Sequence, residues 1–323
     1  MLYKELGRTG ERVSVVWLGT WQFGSGSWGF GKSYGEKECL EAVYASVEAG
    51  VNVIDTAEVY GGGVSEKIVG KAVKELGDRV LIATKVAPHH LTYNGVIEAC
   101  ERSLNRLGVK TIDLYQIHFP NPLIPITQTM RAMEHLVKTG KIRYIGVSNF
   151  SLGQLIKARQ ALKSEDIVSN QVRYNLLQRQ PENHLLPYCI REKINILAYS
   201  PLAQGLLTGK YTSTNPPRDI IRRINPLYTR RYLRRIEPLL TELRNLGEKY
   251  GASVGQVALA WVFAHEGCVA IAGAKNREQA LNNAAAGNIQ LTSDEMEKLN
   301  KLSMQTRPGA MEIIQTIPRI LGF

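Results

Sequence analysis

Val51-Asn52-Val53-Ile54-Asp55-Thr56-Ala57-Glu58-Val59-Tyr60-Gly61 begins as a short β-branched apolar run and ends in a carboxylate, a tyrosine and a glycine. The apolar part has the length of a buried strand, and the polar part follows it without a break. Working outward, runs of this kind lie at 15–18, 51–54, 80–83, 112–117, 142–147, 167–172, 194–198 and 269–272. Between them apolar residues fall at helical spacing, as in Leu40, Val43, Tyr44 and Val47, and again in Val96, Ala99, Cys100, Leu104 and Leu107. Short strands alternating with longer amphipathic helices predict a parallel sheet with crossover helices. Eight such strands are the number that closes an α/β barrel, so the expected fold is one (β/α)8 TIM barrel domain over 1–323.

Helix starts are legible as well. Ser151 with Gln154, Ser253 with Gln256 and Thr292 with Glu295 each have the spacing of a capping box, in which side chains satisfy free amides of the first turn. Before the first strand, 3–16 holds two short stretches around Leu6-Gly7-Arg8-Thr9-Gly10-Glu11-Arg12-Val13, which read as an N-terminal β-hairpin plugging the barrel floor. A variable excursion at 212–227 follows the seventh strand, and an extra helix is expected over 228–250. A final helix at 293–302 and a tail at 305–323 lie outside the eightfold pattern.

At 44% hydrophobic and 21% charged residues, the composition excludes collagen-like, fibrous and disordered classes. No apolar run approaches the roughly 18 residues of a membrane helix, so no membrane partner is expected. Residues 1–12 carry Glu5 among Lys4, Arg8 and Arg12 without an apolar core, unlike a secretory signal or a transit peptide, and predict a cytoplasmic location. Cys39, Cys100, Cys189 and Cys268 lie far apart with no Cys-x-x-Cys pair, and read as buried free thiols rather than a metal site or a disulfide framework. A formal net charge of +11 suggests an anionic partner, either nucleic acid or a phosphorylated small molecule.

In a parallel barrel the site forms at the carboxyl ends of the strands. The residues there are Gly19-Thr20-Trp21, Asp55, Lys85, His118, Ser148-Asn149, Gln171, Tyr199-Ser200 and Gly273-Ala274-Lys275. An isolated buried charge is expensive, and Asp55 and Lys85 on neighbouring strands make a pair. Taken singly, each reads as structure: a salt bridge, a core tyrosine, a histidine with one hydrogen bond. Converging on one barrel mouth, Asp55, Tyr60, Lys85 and His118 read as a catalytic set. An ammonium beside a phenol favours the phenolate and lowers its pKa from about 10, while a carboxylate keeps the lysine charged. His118 would aim a ring N–H at a substrate oxygen. This is equipment for protonating a carbonyl oxygen while hydride reaches the carbon, and because no side chain donates hydride, a nicotinamide is expected.

At these residues the chain resembles the aldo-keto reductase superfamily, over about 3–302. The resemblance is carried by Leu18-Gly19-Thr20-Trp21, Asn52-Val53-Ile54-Asp55-Thr56-Ala57-Glu58-Val59-Tyr60-Gly61, Ala83-Thr84-Lys85 and Asp113-Leu114-Tyr115-Gln116-Ile117-His118. Ile145-Gly146-Val147-Ser148-Asn149-Phe150 and the segment from Tyr199-Ser200-Pro201-Leu202-Ala203-Gln204-Gly205 to Lys210-Tyr211 continue it. It implies Asp55, Tyr60, Lys85 and His118 as a tetrad with Tyr60 as proton donor. It also implies Ser148, Asn149 and Gln171 on the nicotinamide amide and Tyr199 stacked on the ring. Ser200, Pro201, Leu202, Gln204, Gly205 and Lys210 would then lie along the pyrophosphate, with Gly19, Thr20 and Trp21 beside the cofactor. After the eighth strand, Gly273-Ala274-Lys275-Asn276-Arg277-Glu278-Gln279 and Asn282-Asn283 resemble the family's adenosine-binding segment, in which Lys275 would face the extra phosphate of NADPH and Gln279, Asn282 and Asn283 the adenine. Two positions depart from the family pattern: Ala272 where many relatives have Pro, and Asn276 where many have Arg. The second leaves Lys275 and Arg277 to supply the positive charge, so NADPH/NADP is the expected cofactor and NADH the alternative. The expected partner is a small-molecule carbonyl substrate, an aldehyde or ketone, in a pocket walled by Trp21 and Trp28. A cofactor-sensing regulatory barrel without significant turnover is the competing class.

Other motifs point elsewhere. Gly24-Ser25-Gly26-Ser27-Trp28-Gly29 has the dinucleotide fingerprint spacing, and Gly26-Ser27-Trp28-Gly29-Phe30-Gly31-Lys32-Ser33 the pattern of a P-loop NTPase. A phosphate loop must leave a strand tip and run directly into a helix, whereas here the strand ends near Gly19 and the helix waits until about Glu36. The loop is expected to cover the barrel mouth. Arg218, Arg222, Arg223, Arg230, Arg231, Arg234 and Arg235 form a basic cluster, but no nucleic-acid module accompanies them, so the expected role is to grip the cofactor pyrophosphate and not nucleic acid.

Overall fold

The structure is a computed structural model and describes residues 1–217, 222 and 225–306. A two-stranded antiparallel hairpin, β1 (Tyr3–Glu5) and β2 (Arg12–Ser14), precedes the barrel. Eight parallel strands close on themselves: β3 (Val16–Gly19), β4 (Val53–Asp55), β5 (Leu81–Val86), β6 (Ile112–Ile117), β7 (Ile142–Ser148), β8 (Ile167–Arg173), β9 (Asn195–Tyr199) and β10 (Cys268–Gly273), with β10 returning to β3. The helices among the described residues are α1 (Glu36–Glu48), α2 (Val64–Leu76), α3 (Tyr93–Leu107), α4 (Ile126–Lys138), α5 (Leu152–Ala161), α6 (Leu185–Arg191), α7 (Arg230–Arg235), α8 (Glu237–Tyr250), α9 (Val254–Ala264), α10 (Arg277–Ala285) and α11 (Ser293–Gln305). The eight strands expected from the apolar runs all form. Several reach further toward the carboxyl end than the runs do, because the backbone ladder continues through polar residues: Lys85 pairs with Gln116, Ser148 with Gln171, and Arg173 with Tyr199.

Side chains alternate along each strand, and the alternation sorts the core into two layers. Val16, Leu18, Ile54, Ile82, Tyr115, Ile196 and Ala270 point outward into the cluster shared with the helices. Trp17, Val53, Ala83, Leu114, Leu197, Val269 and Ile271 form a separate inner cluster, and Leu6 and Val13 of the hairpin join it. The hairpin therefore plugs the barrel floor, as its apolar positions predict. Lys4 fastens it: its ammonium donates to the carbonyls of Phe263 at 2.6 Å, His265 at 2.7 Å and Cys268 at 3.0 Å, around the carboxyl end of α9.

All three expected capping boxes form, at the starts of α5, α9 and α11. The single helix expected over 228–250 is instead a short 3-10 turn, Pro226–Tyr228, followed by α7 and α8. Pro238 is the reason for the break between the last two. It has no amide hydrogen to continue α7, and it sits in the first turn of α8, where that donor is not needed. The final helix runs to Gln305, three residues past its expected end. The tail beyond 306, and Arg218 and Arg223 of the basic cluster, lie outside the described residues.

Candidate active site

The inner apolar layer changes character two residues further along its strands. Val53 is followed at that spacing by Asp55, Ala83 by Lys85, Leu114 by Gln116 and Leu197 by Tyr199. The barrel interior is apolar at the floor and polar at the carboxyl end. Lys85 is fully buried there, and its ammonium commits all three N–H bonds: to Asp55 Oδ1 at 2.6 Å, to the Thr56 carbonyl at 2.8 Å and to the Tyr60 hydroxyl oxygen at 3.2 Å. The Tyr60 oxygen is the acceptor of that last bond, which leaves its proton for another partner. Tyr60 stands in a tight loop after β4 whose next residues, Gly61, Gly62 and Gly63, have φ of 57°, 63° and 91°. A Cβ on Gly61 would lie 2.8 Å from the Gly24 backbone, so only glycine lets the loop after β4 pack under the loop after β3.

The aromatic surroundings enclose Tyr60. The Trp21 ring centroid lies 5.3 Å from that of Tyr60, the His118 ring meets it edge-on at 5.7 Å, and Phe119 stacks on His118 at 5.2 Å. Asp55 turns its second oxygen to two amides, accepting from Gln171 Nε2 at 2.8 Å and Gln116 Nε2 at 3.2 Å. Gln116 is passed over by motif reading; its signal is its period, two residues after inward Leu114 and two before His118.

Protonation follows from this burial. Desolvation, and then the Asp55 carboxylate, push the Tyr60 phenol well above the ordinary tyrosine value. The lowering expected from Lys85 is corrected: stripping water from a phenolate at this depth outweighs one ammonium. Tyr60 therefore keeps its phenolic proton near pH 7. Burial pulls the Lys85 ammonium below the ordinary lysine value, with Asp55 opposing. Burial, and then Lys85, lower His118 to about 3, so its imidazole is neutral near pH 7 and carries one N–H.

Beside this set, Ser148 Oγ donates to the Gln171 carbonyl at 2.9 Å. Asn149, at φ 63°, donates through Nδ2 to the His118 carbonyl and to Ser148 Oγ, both at 3.0 Å, and its Oδ1 accepts from the Tyr199 hydroxyl at 3.0 Å. Arg173 ends β8 with its guanidinium carbon 5.7 Å from the Tyr199 ring centroid, and its Nε is buried without a hydrogen-bond partner among the described residues.

The sequence model of the Aldo/keto reductase family matches residues 15–304. The chain belongs to that family. An uncharacterized oxidoreductase of Mycobacterium tuberculosis is 42% identical over 309 residues, 95% of this chain and 94% of that protein. Aldo-keto reductase YhdN of Bacillus subtilis is 36% identical over 319 residues, 95% of each chain. Among solved structures, an aldo-keto reductase from Klebsiella pneumoniae in complex with NADPH is 32% identical, with a TM-score of 0.77 over 95% of this chain and 97% of that one.

The remaining candidate residues of this aldo-keto reductase fall on two arcs of the barrel mouth. On the first, Gly19 ends β3 in register with Asp55 and Gly273. Thr20 is buried, donating to the Asp55 carbonyl at 3.0 Å and sharing a 2.8 Å contact with Ser65 Oγ, so it ties the strand end to α2. Trp21 is 44% exposed over Tyr60, a rim position. On the second arc, Ser200, Ala203, Gln204 and Gly205 have positive φ, a crowded turn at the end of β9 that also includes buried Pro201 and half-buried Leu202. Lys210 is exposed beyond it. Arg222 reaches back from the excursion, donating from Nε to the Gln204 carbonyl at 3.1 Å, with its guanidinium 5.4 Å from the Trp28 ring and 5.5 Å from that of Tyr211.

Trp28 joins the arcs. Lys275 donates to its carbonyl at 2.7 Å and lies 5.5 Å from its ring centroid, with Tyr34 at 5.1 Å, so Trp28 stands among cations while Trp21 stands over Tyr60. Asn276 caps α10 by accepting from the Gln279 amide, and Gln279 Oε1 accepts from the Lys275 amide at 3.0 Å. Arg277 pairs with Glu48 at 3.3 Å. Asn282 is bonded to Gln256, Asn283 donates to the Gly273 carbonyl at 3.1 Å, and the Ala274 carbonyl accepts from Gln22. Of the two cations after β10, Lys275 meets Trp28 and Tyr34 at the mouth, whereas Arg277 pairs with Glu48 of α1. The 26–33 segment is no phosphate cradle: it starts with a 3-10 turn, Gly26–Trp28, leaves Lys32 exposed, and enters α1 only at Glu36.

Proposed function

We propose that this reductase converts the carbonyl group of an aldehyde or ketone to an alcohol with NADPH, Tyr60 giving the proton. The observation that carries the reading is the Lys85 ammonium, buried and shared among Asp55, the Thr56 carbonyl and the Tyr60 oxygen. When bound, reduced nicotinamide supplies the hydride that the protein lacks.

The residues at the mouth fit that group. Gln171 points its N–H2 at the Asp55 carboxylate, which can only accept, so the amide's carbonyl end is the one suited to a carboxamide N–H. Ser148 and Asn149 flank it, Tyr199 would back the ring, and the Arg173 Nε, buried near Tyr199 without a hydrogen-bond partner among the described residues, is a donor of the kind a ligand satisfies. Lys275 and the first turn of α10 suit the phosphate that distinguishes NADPH from NADH, and Arg222 suits the pyrophosphate.

His118, neutral, orients the substrate oxygen through its N–H and stabilises the charge that develops there. Tyr60 passes its hydroxyl proton to that oxygen. Lys85 keeps its bond to the phenolic oxygen and balances the phenolate formed, while Asp55 holds the ammonium in place. Trp21 beside Tyr60 and Phe119 beside His118 form an aromatic rim that shields the transfer from water.

The test is Tyr60→Phe assayed with NADPH and a panel of aldehydes and ketones by loss of reduced-nicotinamide absorbance. General acid catalysis contributes about 10²–10⁴-fold, so reduction should fall by that order while calorimetry shows NADPH binding retained. An unimpaired variant overturns the assignment.

A further inference from the structure

We propose that Gln116 is a positioning residue for this reaction, joining the cofactor-facing amide of Gln171 to the carboxylate that holds Lys85 against Tyr60. The inference rests on Tyr60 as the acid. Gln116 is fully buried at an inward position of β6, where an apolar side chain would pack without any need for partners. It has them all the same. Its Nε2 donates to Asp55 Oδ2 at 3.2 Å, and its Oε1 accepts from Gln171 Nε2 at 3.2 Å, while Gln171 Nε2 also donates to Asp55 Oδ2 at 2.8 Å. Asp55, Gln116 and Gln171 close a triangle.

The orientation of the triangle is determined by chemistry. A carboxylate only accepts, so both amides must turn N–H2 toward Asp55, and the Gln116 carbonyl is left to receive the second N–H of Gln171. Flipping Gln116 would set oxygen against oxygen on the Asp55 side and N–H2 against N–H2 on the Gln171 side. The barrel wall is shaped for it: Gly146 lies beside Gln116 in register, and a Cβ there would stand 2.8 Å from Gln116 Cγ. With Oδ2 held by two amides, Oδ1 faces Lys85, and the rotation of the carboxylate is set. One side of the triangle thus determines where the Lys85 ammonium sits against Tyr60. The other determines where the Gln171 carbonyl sits toward the nicotinamide carboxamide.

Two variants test this, with 4-nitrobenzaldehyde as the substrate probe. Gln116→Met keeps the volume and removes both hydrogen bonds. It should fold, with kcat down about tenfold and the NADPH dissociation constant by calorimetry raised severalfold. Gln116→Glu carries, when protonated, one donor for Asp55 and one acceptor for Gln171, and when ionised sets a second carboxylate against Asp55. Its kcat should approach wild type near pH 5 and fall as its own carboxyl ionises, a dependence absent from Gln116→Met and from wild type. A residue that only fills space gives equal, pH-independent losses in both variants, and that result overturns the proposal. So does wild-type kcat and NADPH affinity in Gln116→Met, or a failure of both variants to fold. Tyr60→Phe in the same assay separates the two readings: if it is active, the acid assignment fails, and if it is inactive while Gln116→Met behaves as wild type, only the role of Gln116 fails.

Discussion

The most consequential single residue for pH behaviour is His118. Its imidazole, held at about 3, would titrate near 6.5 in an unfolded chain, so between those values the unfolded state binds the extra proton. The stability that comes with the neutral ring is complete above about pH 6.5 and is lost progressively as pH falls toward 3. Glu295, held near 2 by Lys249, Tyr250 and the Thr292 amide against its burial, acts in the same direction at lower pH. The readout is therefore the difference between wild type and His118→Asn in urea midpoints from pH 7 to 4. Wild type should lose more stability over that range; parallel curves would show that His118 is not buried in its neutral form. The same low value predicts that kcat/KM for reduction shows no inflection from His118 between pH 5 and 8.

At the scale of elements, the Lys4 ammonium ties the hairpin to the barrel alongside other polar links, among them the Gly7 amide on Asn195, the Tyr3 hydroxyl on the Gly50 carbonyl and the Arg143–Glu11 pair. Lys4 donates to three carbonyls where α9 ends and β10 begins, the end of a helix dipole that favours a cation. Lys4→Met would leave those carbonyls without that donor, and hydrogen bonds to a charged group contribute on the order of 2 kcal/mol. Denaturant unfolding should show a loss of about that size. Catalysis should be unaffected, because the hairpin closes the floor and the site lies at the opposite end of the strands. Unchanged stability would mean that the apolar contacts of Leu6 and Val13 and the remaining polar links hold the hairpin without Lys4.

The whole molecule carries a formal net charge of +11, and its mouth gathers Arg222 and Lys275 around Trp28. A positive field of this kind speeds the approach of a polyanion and weakens with salt. The stopped-flow association rate of NADPH should fall steeply as ionic strength rises, and less steeply for NADH, which has one phosphate fewer. Lys275→Met should weaken NADPH by about tenfold, roughly 1.4 kcal/mol, and leave NADH nearly unchanged. Equal losses for both cofactors would show that Lys275 does not read the extra phosphate, and would agree with Asn276 serving as a helix cap rather than as a cation.

The barrel was legible from the chain alone because eight β-branched runs alternate with helical periods, and local patterning of that kind reports the fold class directly. The pairing of Asp55 with Lys85 and Tyr60 was legible too, since a buried charge needs a partner and neighbouring strand ends supply one. The position of Pro238 marks the break between α7 and α8, although the apolar period runs through it. Contacts across the barrel were not legible. That Gln116 and Gln171 share the Asp55 carboxylate depends on side chains 55 and 116 positions from Gln171 meeting in space. The direction of the Tyr60 shift likewise needed the depth of burial, which only the closed barrel sets, and burial there outweighs the charge of Lys85. Sequence determined which groups stand at the strand ends. Closure of the barrel decided which of them touch, and how far from water they do so.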